Sequence, residues 1–86
     1  MTMNAPTVHD FHAAITVLNR LSHRIDNDAA ERVMRLPESR YGDQNATRIE
    51  AQTMEQTSRI AAVIAQLEVW RDELQQQRRH RVAHRV

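Results

Sequence analysis

Between Ile60 and Leu74 the sequence reads IAAVIAQLEVWRDEL, and Ile60, Val63, Leu67, Trp70 and Leu74 recur at alternating steps of three and four. That spacing returns side chains to one face of an α-helix, whereas a strand would need a period of two. Ile64 widens the stripe, while Gln66, Glu68, Arg71, Asp72 and Glu73 fall mainly on the other sides, as an amphipathic helix requires. A helix this one-sided needs a partner surface, and the rest of the chain is read for what can supply it.

The partner lies upstream. Thr7 has the character of an N-cap, with Asp10 three residues on in place of the Glu of a capping box. Phe11, Ala14, Leu18, Leu21 and Ile25 then repeat the three-four rhythm, with Ile15 and Val17 adding apolar surface beside it. Asp28 and Glu31 also have capping-box spacing, which leaves a break near Asn27-Asp28 open. Ala29, Val33 and Leu36 resume the apolar face, so a single helix with a local irregularity is the preferred reading.

Pro37 disfavours helical geometry at Leu36 and removes a backbone donor. Gly42 can take positive φ, and Asp43 or Thr47 can cap a following helix, the latter with Glu50 at capping-box spacing. The chain therefore divides into a lead-in over 1–6, a helix over 7–36, a turn over 37–43, a second helix over 44–80 and a basic tail over 81–86. The predicted fold is all-α: an antiparallel helical hairpin of coiled-coil type. Matching the two stripes puts Phe11 opposite Trp70, Ala14 opposite Leu67, Leu18 opposite Val63, Leu21 opposite Ile60 and Ile25 opposite Gln56. Nearer the turn this register brings Thr53 to Asp28 and Ile49 to Arg32, unless helix 1 rotates to offer Ala29 and Val33.

Two helices bury one face each, and Ile15, Val17, Met54, Ile64 and Val69 are left outside the seam so drawn. Each large apolar side chain is worth about 1.5–3 kcal/mol when buried, against a total stability of about 5–15 kcal/mol. A homodimeric four-helix bundle is the expected remedy, with packing of the same face on a different protein as its rival. The length of 86 residues points the same way, being close to the size at which a lone chain struggles to bury enough surface.

Composition excludes several chemistries. Without a cysteine there is no disulfide, thiolate metal site or cysteine nucleophile. There is no Gly-rich phosphate loop, no Gly-x-Ser-x-Gly elbow and no His-Glu-x-x-His, and a rod of two helices offers no deep pocket for tuning a pKa. No enzyme activity, no cofactor and no metal are expected. His9 and His12, and His80 and His84, have helical spacing but fall at different heights of the hairpin, so they are read as solvated. No apolar run spans a membrane and the N-terminus lacks the build of a signal peptide, so a cytoplasmic protein without membrane contact is expected.

All 12 basic residues are Arg, and five of them, Arg71, Arg78, Arg79, Arg81 and Arg85, fall in the last sixteen positions, which hold only two acids. These five are the candidate partner-binding cations. They can complement the helix dipole, meet an acidic protein surface or neutralise phosphates, but the net charge of +1 gives no bulk attraction for nucleic acid. The expected function is a regulatory or inhibitory protein-binding module working through its helix faces, comparable in size to the inhibitors and adaptors made by phages and plasmids. The alternative is a nucleic-acid-associated accessory protein using the Arg-rich C-terminus. Phe11, Ile15, Leu18, Leu21, Ile25, Ile60, Val63, Ile64, Leu67, Trp70 and Leu74 are the residues assigned to the seam or the dimer contact.

Overall fold

The computed structural model describes residues 4–84, with side chains described as far as His80. Among these residues the chain is two helices, α1 (Val8–Met34) and α2 (Arg40–His84), folded into an antiparallel hairpin. At 1.5 Å per residue, α1 is about 40 Å long and α2 about 67 Å. The molecule measures 70 × 22 × 17 Å with a radius of gyration of 20.0 Å, against about 12 Å for a compact domain of this length.

The N-terminal capping box forms. Thr7 N–H donates to Asp10 Oδ2 at 2.8 Å, and Asp10 N–H donates to Thr7 Oγ1 at 3.2 Å. α1 then runs without a break through Asn27 and Asp28, so the second capping-box spacing goes unused. The helix stops at Met34, two residues short of the expected end, because Pro37 holds Leu36 out of helical geometry.

The turn is tighter than predicted, occupying 35–39 instead of 37–43. Ser39, not Asp43 or Thr47, caps α2: its Oγ accepts from Gly42 N–H at 3.1 Å, and its carbonyl accepts from Asp43 N–H at 2.9 Å. Gly42 is therefore a helical residue, and its φ is not positive. Its lack of a side chain matters for another reason. A Cβ at this position would run into the Pro37 carbonyl oxygen, so glycine is what lets the first turn of α2 fold back against the Pro37 backbone.

The inward residues before the turn, counted outward from it, are Leu36 in the connection and then Val33, Ala29, Ile25, Ser22, Leu18, Ile15, Phe11 and Val8 of α1; those of α2 are Ala46, Ile49, Thr53, Thr57, Ile60, Ile64, Leu67, Arg71 and Leu74. Both sets take the same steps in the same order, three, four, four, three, four, three, four, three, so they stack into layers that pair them one to one. Ala29 lies level with Thr53 and Val33 with Ile49. Among the described residues Ala29, at 7% exposed, and Ile49, at 9%, are the buried apolar side chains, and both sit in the half of the hairpin next to the turn.

This register differs from the predicted one by one residue along α2. Leu21, Val63 and Trp70, expected in the seam, turn outward, and Ser22, Ile64 and Arg71 take their places. Ile15 and Ile64, expected to be left over, are seam residues. The reason lies in the columns that recur every seven residues. The column through Leu21 runs Thr7, Ala14, Leu21, Asp28, Arg35 and carries two charges, whereas that through Ser22 runs Val8, Ile15, Ser22, Ala29, Leu36 and carries none. Two consecutive steps of four on each helix, opposite one another, bring Ala29 and Val33 inward and keep Asp28 and Arg32 in solvent. Such a stutter locally unwinds a coiled coil. The hydroxyls admitted to the seam there are satisfied within α2: Thr53 donates to the Ile49 carbonyl at 2.8 Å and Thr57 to the Thr53 carbonyl at 3.0 Å.

Candidate interaction face

A residue just before an inward residue lies about 100° back around its helix. Because α1 and α2 run in opposite directions, that backward turn points to the same side of the hairpin on both. From the turn end outward, this side carries Arg24, Leu21, Val17, Ala14 and Asp10 on α1, and Arg59, Val63, Gln66, Trp70 and Glu73 on α2. Its middle is apolar and open, with Val17 61%, Leu21 45%, Val63 50% and Trp70 49% exposed. Val17, Leu21, Arg20 and Arg24 line one surface hollow, and Phe11, Trp70, Glu73, Leu74 and Gln77, with Ala5 and Pro6, line another. Trp70 thus lines the same surface hollow as Phe11, but it is half in solvent and not opposite Phe11 in a buried layer as expected.

The opposite side is more polar, its exposed large apolar residues being Met34 and Met54 near the turn. Residues just after the inward ones include His9, His12, Thr16, Asn19, His23 and Asp26 on α1, and Glu50, Met54, Ser58, Glu68 and Asp72 on α2. Near the turn on that side is a hollow of about 490 Å³ lined by Asp26, Ala29, Ala30, Val33, Glu50, Thr53, Met54 and Thr57. It exists because Ala29 lies level with Thr53, two short side chains that do not fill the layer. Among the described residues no group of three or more His, Asp or Glu is placed to hold a metal ion, and no helix is long and apolar enough to cross a membrane.

Of the five candidate cations, the three with described side chains do not form one patch. Arg71 belongs to the inward set: its side chain is 20% exposed and its guanidinium meets the Asp72 carboxylate at 3.2 Å. The register sets its aliphatic stem level with Phe11 and its charged head at the rim, so less of Arg71 is open to a partner than of an exposed arginine. Arg78 and Arg79 are exposed on the part of α2 that extends past the start of α1. The tail expected from residue 81 instead continues the helix to His84. Arg81 lies in that helix, but its side chain, like the whole of Arg85, lies outside the described residues.

Two further ion pairs are local. Arg59 pairs with Glu55 at 2.6 Å and Arg35 with Glu31 at 3.9 Å, both exposed pairs one turn apart, of a type that contributes little. Asp10 has its pKa lowered, chiefly by the hydrogen bond from the Thr7 backbone N–H, then by the Thr7 hydroxyl and nearby His9. The one-sidedness of the apolar face was not found from the sequence, although the signal was present: Asp28 and Arg35 mark the column that must stay outside.

No family model matches the chain, and no curated protein or solved structure is detectably similar to it.

Proposed function

We propose that the chain is a non-enzymatic, protein-binding regulatory or inhibitory module, which pairs with itself into a four-helix bundle and offers its remaining helix surface to another protein. The observation that carries this reading is the surface the hairpin leaves uncovered. Its accessible area is 7534 Å², whereas a compact monomer of 10.0 kDa would expose about 5,200 Å². The difference, about 2,300 Å², is of the order that a stable protein–protein contact removes from water. A chain built to act alone would gain nothing from holding Val17, Leu21, Val63 and Trp70 open on one side.

The second reading, nucleic-acid binding, draws on Arg78 and Arg79 standing clear of α1 at the far end of α2. The experiment that separates the two uses two variants, one deleting residues 78–86 and one carrying Ala61→Glu with Ala65→Glu on the side of α2 that self-pairing leaves open. The proposal expects a protein partner from the native host to be retained by the truncated chain and lost by the helix-face variant. Loss of function on truncation, together with loss of a steep salt dependence of nucleic-acid binding, would replace it with the second reading.

A further inference from the structure

The apolar face is bounded at each end by charge of opposite sign. Arg24 and Arg59 stand at nearly the same height on the turn side of Leu21 and Val63, and Asp10 and Glu73 at nearly the same height beyond Ala14 and Trp70. Val17 lies midway between Arg24 and Asp10. From these positions we infer that a second copy of this chain covers the face, antiparallel, with α1 against α1 and α2 against α2 and the two-fold axis passing close to Val17. The inference deepens the self-association proposed above by naming its surface and orientation.

A two-fold pair of hairpins can meet on this face in two ways. With the axis along the rod, each α1 lies on the other copy's α2 at equal height. Arg24 then meets Arg59, and Asp10 meets Glu73: like charges at both ends. With the axis across the rod, heights reverse about Val17. Arg24 then meets Asp10 of the other copy, and Arg59 meets Glu73. Like-charge juxtaposition is the usual device by which an interface rejects a wrong arrangement, so the charges select the second.

The apolar residues agree with that choice. Leu21 falls opposite the small Ala14 of the other copy, and Trp70 falls between its Val63 and Arg59, where the indole meets an aliphatic side chain and a guanidinium. Asp28, the remaining acid of this column on the turn side, falls beyond the start of the other copy's α1, level with Pro6, and faces no charged residue among the described ones there. Neighbouring helices are antiparallel throughout, as in up-and-down bundles. The area needed is also available, because standard interfaces bury about 1,200–2,000 Å² in total, less than twice the surplus each chain carries.

The absence of native cysteine makes the test direct. Val17→Cys, oxidised or treated with a short thiol cross-linker, is expected to give a covalent dimer, and Ala65→Cys on the polar side is expected to give none. By sedimentation, Arg59→Glu and Glu73→Arg are each expected to weaken association about tenfold, and the two together in one chain to restore it, with helix content checked by circular dichroism. A dimer that is indifferent to both reversals and unlinked through Val17 would overturn this surface and orientation while leaving the self-association standing. A mass of one chain throughout would overturn both.

Discussion

Arg71 turns into the seam between the helices while Trp70, its neighbour in sequence, is left half in solvent. Hydropathy alone would reverse them. The pair shows that position along the column outranks the character of a single side chain: once Val8, Ile15, Ser22 and Ala29 face inward on α1, Ile64 and Arg71 face inward on α2. Trp70 is thereby assigned to the outer face.

The Arg71→Leu variant should accordingly be more stable than the wild type. Its stem already lies level with Phe11, and among the described residues its guanidinium pairs with the exposed carboxylate of Asp72, so little is lost with the charge. Full apolar burial there is expected to contribute about 1 kcal/mol, read as a higher midpoint in urea.

Gly42→Ala should destabilise the hairpin. Inside a helix this exchange normally stabilises by about 1 kcal/mol, so a fall in Tm would be the opposite of the propensity effect. It would report the collision of the new Cβ with the Pro37 carbonyl oxygen.

Ile49→Ala removes one of the two buried apolar side chains among the described residues and should cost about 2–4 kcal/mol, a large part of the stability of so small a fold. Met54→Ala, on the next turn but exposed, should change it by less than about 0.5 kcal/mol. Equal effects of the two in chemical denaturation would contradict the layer assignment.

Asp10 gives the start of α1 a pH dependence. Its folded pKa lies below that of the unfolded chain because the Thr7 backbone N–H and hydroxyl donate to it. The associated stability is present above the unfolded pKa and is lost as pH falls through the lowered folded pKa. The Tm difference between wild type and Asp10→Asn should therefore be constant near neutrality and shrink in acid. Thr7→Ala, which removes the cap hydroxyl, should cost about 1 kcal/mol at neutral pH.

Trp70 supplies a signal for association. At high dilution its emission should be that of a half-exposed indole, and it should move to the blue as concentration rises, by mass action. A spectrum independent of concentration across the range in which the mass changes would place Trp70 away from the contact.

The two helices, the capping box at Thr7 and Asp10 and the interruption at Pro37 were legible in the sequence, because each rests on local chemistry. Which of two neighbouring columns faces inward was not, because Leu21, Val63 and Trp70 are more apolar than Ser22, Ile64 and Arg71 taken as a set. What decides is the charge farther along, at Asp28 and Arg35, and that is visible only when a column is followed from one end to the other. The turn was misplaced for a related reason: Gly42 invites positive φ, but its small size is used for a close approach to Pro37. The apolar face is a consequence of the register, so it is legible only once the inward columns are assigned.

Because the steps on α1 and α2 match from the turn outward, the hairpin is constrained in how its length can vary. One residue inserted into either helix would rotate everything beyond it by about 100° and break every later layer. Seven residues added to one helix alone would keep its face but slide it about 10 Å past its mate. Only paired changes, seven in each helix, would preserve both face and height. Related chains should therefore differ in length by such paired heptads, in the short connection between Met34 and Arg40, or in the part of α2 that extends past Val8.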